Sequence, residues 1–377
     1  MKTNFFASQN LVKTSYSSDD VTILCKDITG QIQSTPTKER EKLIQQGTHY
    51  SEMLPVEKVP SKEFTDLYEH LLGVNAQKTA EAIAVLAHKL YDKFGGSFIC
   101  ISLARAGTPV GVLLRRYFSW KWGIDVPHYS VSIIRGKDLD FNALRYIRDK
   151  HPGVPVSEFQ FVDGWTGKGA ITNQLKASIA KLQSAEAGWE DLSPDIAVLA
   201  DPACICDIAG TYEDFLVPSS CFNSTVSGLV SRTVLREDLI NTDAGDFHGA
   251  VYYKEFEGAD MSNAFVDEIE KHFMNVTQEQ VDAVTCVGTQ PGIEVVKALA
   301  EHFGIADINK IKPGIGESTR VLLRRVPWKV VVNPFYKQDP ELEYIFSLCK
   351  QKDVPVEFMP IGNYKVCGII KDVSADA

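Results

Sequence analysis

Apolar positions along this chain recur in two alternating rhythms. From 75 to 94 they return every three or four residues, lining one face of a helix, and Gly95 and Gly96 close the run. The stretch 97–103 is a short continuous apolar run bounded by turns, the pattern of a buried strand. The alternation then repeats. Thr108 is placed to cap a helix with Pro109 at its first position, where a missing amide hydrogen does no harm, and that helix runs to about Phe118. Strand patterns at 129–134, 158–163 and 195–200 are separated by helical ones at 140–148 and 168–183. Strand and helix in turn at this spacing predict an α/β layer, doubly wound around a mostly parallel sheet.

A second alternating set begins after about residue 275. Helical spacing over 292–303 stops at Gly304, strand-like runs fall at 328–332 and 354–358, and a helical segment at 341–350 lies between them. This predicts a smaller α/β sandwich over 275–372. The main domain spans 61–270, and the polar, turn-rich residues 1–60 read as an extension that covers it. A length of 377 residues agrees with two or three domains. With 44% hydrophobic and 23% charged residues the chain is neither disordered nor fibrous. A net charge of −10 speaks against general affinity for nucleic acid or anionic membrane, while leaving room for a local basic patch. There is no apolar run of membrane-spanning length and no signal-peptide core near the start. The eight scattered cysteines read as reduced thiols, and Cys204 and Cys206 stand too close for a standard zinc pair. These features predict a cytoplasmic protein with no membrane partner.

Two turns carry candidate chemistry. In 102–111 a strand ends in a small-residue turn holding Arg105, Ala106 and Gly107, and a helix begins at Thr108. Backbone amides and the positive helix end make such a turn an anion site, or else a plain tight turn with a surface arginine. In 159–169 a strand runs into Asp163-Gly164-Trp165-Thr166-Gly167-Lys168-Gly169. The glycines let backbone approach an oxyanion, Thr166 adds a hydroxyl, Lys168 a charge, and Asp163 can receive sugar hydroxyls or hold Mg²⁺ through water. The spacing is not that of a P-loop or a dinucleotide fingerprint. Ligands of open α/β sheets bind outside the carboxyl ends of strands, where both turns are predicted.

These two loops resemble the pyrophosphate and phosphoribosyl-pyrophosphate loops of type I phosphoribosyltransferases. Together with Asp19-Asp-Val-Thr, His49-Tyr-Ser-Glu-Met-Leu-Pro55 and the run from Asn223 to Thr233, they also resemble the StiP family across nearly the whole chain. That family is phosphoribosyltransferase-like and accompanies tellurite-resistance and stress-response gene clusters. The resemblance implies a phosphoribosyltransferase fold and a glycosyltransferase activity. Phosphoribosyl pyrophosphate would be bound with Mg²⁺ at Asp163, and a ribosyl group passed to a base-like or RNA acceptor. Gly164 to Gly169 would cradle the 5′-phosphate, Arg105 to Thr108 the pyrophosphate, and Arg135 and Lys137 would clamp the leaving group beside Lys168, unless those two simply occupy a solvated turn. The alternative is a non-catalytic sensor of nucleotide and RNA. Relatives described as cysteine proteases make Cys221 with His248 a further candidate pair, although no known protease signature surrounds Cys221.

The segment 310–325 concentrates five basic residues, Lys310, Lys312, Arg320, Arg324 and Arg325, against one acid. Gly314 and Gly316 open a helix there whose amides can meet a phosphate. It is either an ordinary basic helix face or a nucleic-acid surface, and it resembles a Pelota-type RNA-binding domain, which implies an RNA partner.

Overall fold

The computed structural model describes residues 10–284 and 292–371; of Thr37, Lys38, Glu41, Gln45 and Arg324 only the backbone is described. Six parallel strands form the main sheet, in the order Thr22–Leu24, His128–Ser132, Ile99–Ala104, Phe159–Trp165, Ile196–Ala200, Ile208–Thr211. Their residues are buried almost without exception, as expected of strands covered on both faces. One face is packed by the helices Lys62–Phe94 and Thr108–Trp122, with Ser262–Glu270 lying against these two, and the other by Phe141–Lys150 and Ala170–Ala185. The mixed α/β architecture and the central strands agree with the sequence pattern.

Local chemistry sets the ends. The hydroxyl of Ser61 accepts the amide of Phe64 to start the 33-residue helix Lys62–Phe94, earlier than its apolar periodicity predicts. Gly95, left-handed at φ 60°, ends it. Asp140 caps Phe141–Lys150 by accepting the amide of Ala143 at 3.1 Å. Thr108 does not cap its helix. Gly107 takes that position, Thr108 is the first helical residue, and its buried hydroxyl bonds Ser130 Oγ at 2.7 Å. Nor are residues 1–60 wholly irregular, since Thr22–Leu24 is the edge strand of the main sheet.

The C-terminal sheet runs Ile311–Pro313, Val366–Ile370, Pro327–Val332, Val356–Phe358. Only the last two neighbours are parallel. Helix Gly292–Phe303 covers one face; Ile315–Arg324 and Glu343–Gln351 cover the other. Side chains of Ile315 and Leu322 share one apolar cluster with Phe215, Leu216 and Val217 of the main domain. Asp214, buried at the junction, accepts the amides of Ile315 and Lys365, each at 2.9 Å. No described helix is long and apolar enough to cross a membrane.

Candidate functional site

The two turns singled out by the sequence meet. A Cβ on Gly107 would lie 2.4 Å from the carbonyl oxygen of Val162 and 3.0 Å from Cα of Asp163, and one on Gly164 would lie 3.1 Å from the carbonyl oxygen of Ala106. Only a residue without a side chain allows backbones this close. Both turns sit at the carboxyl ends of adjacent parallel strands, Ile99–Ala104 and Phe159–Trp165.

Beside them a cavity of about 230 Å³ opens between the two domains. Ala106, Asp163 and Lys168 lie on one wall and Lys312, Pro313 and Arg320 on the other, with Arg135 at the side. The helix Ala170–Ala185 begins in this cavity, and no side chain caps its first amides because its N-cap is Gly169, left-handed at φ 81°. Four cations therefore face two carboxylates, Asp163 and Glu317, with a helix start adding partial positive charge. Burial, reinforced by Lys312 and Arg135, lowers Lys168 to about 8. Burial likewise lowers Lys312. Burial pushes Asp163 up to about 7, against the pull of the Gly164 amide at 2.8 Å and of Arg320. For Glu317, burial raises the carboxyl, and Arg320 and Lys312 outweigh it and leave it below its ordinary range. Among the described residues no group of three His, Cys, Asp or Glu is arranged to hold a metal.

Several expected ligands are turned elsewhere. Arg105 points away from the cavity to Glu57 at 3.1 Å and the carbonyl of Val230 at 2.9 Å, because Glu57 lies buried beneath it. Thr166 faces inward to Asp201 rather than toward an anion. Lys137 lies exposed outside the cavity lining. Lys168 does reach the cavity, but its ammonium donates to the carbonyls of Ile308 at 2.5 Å and Ile311 at 3.3 Å in the C-terminal domain. Trp165 lies under Arg320, whose guanidinium sits 4.9 Å from the ring.

The basic segment is an inner wall rather than an open face. Arg320 Nε donates to the Ser220 carbonyl at 3.0 Å, and its other arm meets Glu317 at 3.1 Å. Gly316 packs against Ser220 and Gly314 against Asp214. The amide of Gly314 bonds the Val366 carbonyl at 2.8 Å, so it is not offered to a phosphate. Arg325 is exposed and Lys310 half-buried; the side chain of Arg324 lies outside the described residues.

Cys221 and His248 belong to different surroundings. Cys221 is fully buried with Tyr68 and Phe222. His248 is buried over the strand His128–Ser132, its Nδ1 on Ser132 Oγ at 2.8 Å and its amide on Asp140 at 2.6 Å, and burial lowers its pKa. Cys204 is the described cysteine that is only half-buried. It follows the strand Ile196–Ala200 with φ 51°, a strained conformation for a residue with a side chain. Asn363 of the C-terminal domain donates to its sulfur at 3.3 Å. Sequence inspection set Cys204 aside as half of a failed zinc pair; its left-handed turn and its partner, 159 residues away, are visible only in the fold.

A family model described as "Tellurite-like stress resistance cysteine protease StiP" matches residues 14–270, and one described as "PELOTA RNA binding domain" matches residues 290–372. A curated relative from Acinetobacter baylyi (strain ATCC 33305 / BD413 / ADP1), named "Cysteine protease StiP", is 32% identical over 369 residues, covering 95% of this chain and 94% of its own. No solved structure matches. These names correct the expected activity: they describe a cysteine protease, not a phosphoribosyltransferase or any glycosyltransferase, so phosphoribosyl pyrophosphate binding falls with it.

Proposed function

Since the chain belongs to the StiP family, we propose that it is a stress-resistance protein in which Cys204 performs thiol-dependent peptide hydrolysis and the interdomain cavity holds the phosphate backbone of an RNA. The observation that carries this reading is that Cys204 and the cationic wall lie on one seam, each completed by the C-terminal domain: Asn363 on the sulfur, Lys312 and Arg320 on the cavity.

A hydrogen bond donated to sulfur favours the thiolate, the form that attacks. In this scheme the thiolate adds to a peptide carbonyl, the C–N bond breaks as the amine takes a proton from water and leaves, and the hydroxide so formed cleaves the thioester to the acid and returns the thiolate. Lys168, Lys312, Arg320 and Arg135 supply the charge that phosphates seek, contacts that position a strand without reading its bases.

Both parts are tested on the purified chain in reductant. Cleavage of fluorescent casein should vanish on alkylation with iodoacetamide and in Cys204→Ser, and persist in Cys221→Ser. Full activity in Cys204→Ser refutes the assignment of the nucleophile. For RNA, anisotropy with a labelled single strand should weaken steeply with KCl, and Lys312→Ala should reduce the log–log slope by about one. A flat salt response refutes the backbone-binding role.

A further inference from the structure

One hydrogen bond ties the glycine turn of the cavity to the loop that touches Cys204. The carbonyl of Gly167 accepts the buried hydroxyl of Tyr364. That carbonyl belongs to the planar peptide unit that also carries the amide of Lys168, so turn and cation move together. Both Gly167 and Lys168 line the cavity. On the other side, Tyr364 directly follows Asn363, whose side-chain amide donates to the Cys204 sulfur at 3.3 Å. Asn333 makes this short loop one piece, donating to the carbonyls of Gly362 at 3.1 Å and Tyr364 at 3.3 Å.

The Tyr364 hydroxyl has little freedom to leave its acceptor. A Cβ on Gly292 would lie 1.9 Å from that hydroxyl and 2.8 Å from Cβ of Ala203, the residue before Cys204. The amide of Gly292 is itself bonded to the Ala203 carbonyl at 3.1 Å. The turn, in contrast, has room, since a Cβ on Gly167 would meet nothing nearer than 3.9 Å. Its cation is also replaceably held. The Lys168 ammonium donates to two neutral carbonyls, Ile308 at 2.5 Å and Ile311 at 3.3 Å, and a phosphate oxygen is a stronger acceptor than either.

We propose that RNA bound in the cavity lowers the reactivity of Cys204 through Tyr364. A phosphate draws Lys168 and the Gly167 carbonyl toward itself, the Tyr364 hydroxyl follows its acceptor, and Asn363 withdraws from the sulfur. Two arrangements of one turn, with Lys168 on carbonyls or on phosphate, thereby decide whether the thiolate is supported. This coupling rests on the reading that RNA enters the cavity and that Cys204 is the reactive thiol, and it adds that the first restrains the second. Linkage makes it reciprocal: the sulfur that holds Asn363 in place weakens RNA binding by the same factor.

Iodoacetamide modification of Cys204, followed by mass spectrometry of its peptide at neutral pH and low salt, reads the thiolate with and without a saturating oligouridine strand. Bound RNA should slow the modification about fivefold, the worth of one net hydrogen bond. In Tyr364→Phe, which keeps the ring, saturating RNA should leave the rate unchanged. The same holds for Lys168→Gln, which leaves Lys312 and Arg320 to bind the strand. Cys204→Ala should bind the strand about fivefold tighter than wild type, and adding Cys204→Ala to Tyr364→Phe should bring no such gain. Shielding by the strand, or its charge alone, would slow Tyr364→Phe and Lys168→Gln as much as wild type; that result overturns the coupling. So does an unchanged rate in wild type while anisotropy shows the strand bound. A strand that does not bind at all removes the RNA reading and the coupling with it. The modification rate tests the coupling whether or not Cys204 cleaves peptides, so failure of the protease reading is told apart.

Discussion

Replacing Asp214 by alanine tests how the two domains are joined. Its carboxylate accepts two amides of the C-terminal domain, from Ile315 and Lys365, each at 2.9 Å and in a buried setting. Deleting the acceptor orphans both N–H groups, at about 1–3 kcal/mol each, so the loss should be about 4 kcal/mol. Asp214→Asn keeps one acceptor and turns an N–H₂ toward the other amide; about half that loss is expected. The exposed Asp238, which pairs with its neighbour Arg236, is the control, and its replacement by alanine should leave stability unchanged. Urea unfolding reads the total, and hydrogen exchange at Ile315 and Lys365 localises it, with both amides exchanging at least tenfold faster. A loss below about 1 kcal/mol, or unchanged exchange, refutes the argument. The sign with pH is also determined. Burial raises Asp214 to about 6, so the folded state holds its proton more tightly than the unfolded one. The contribution is full below the ordinary carboxyl pKa of 3.8 and is lost as pH rises through about 6. Wild type minus Asp214→Asn should show this fall, while Asp163, raised to about 7, adds the same trend to both proteins.

Two further outcomes follow from the site. Gly107→Ala would force a methyl to 2.4 Å from the Val162 carbonyl oxygen, which backbone cannot absorb; a loss of about 3 kcal/mol or more in thermal unfolding is expected, and an unchanged melt would mean the turns are not in contact. Because Lys168 is lowered to about 8, RNA affinity should decline as pH rises through that value and hold steady in Lys168→Arg; identical profiles would remove Lys168 from the RNA surface.

Periodicity made the central strands and the helix Gly292–Phe303 legible, because long apolar runs of one period have one plausible placement. Thr22–Leu24 escaped it: three residues carry no period, and their place beside His128–Ser132 is set by a partner about a hundred residues later. The closeness of the two glycine turns was legible from their shared position at strand ends. The direction of the side chains was not. Arg105 looks like an anion ligand until Glu57 is seen beneath it, and Lys168 until the carbonyls of Ile308 and Ile311 are in place. The basic run from Lys310 to Arg325 was legible as charge but not as orientation, since only the packing of Ile315 and Leu322 with Phe215 decides which side faces the other domain.

The dimensions of the interdomain cavity act as a sieve. About 230 Å³ admits a phosphate and its sugar but not the girth of a base-paired stem. Any RNA that reaches Lys168 and Lys312 with the domains in this arrangement must therefore thread in unpaired, so hairpin loops and frayed ends should compete for the protein where perfect duplexes do not.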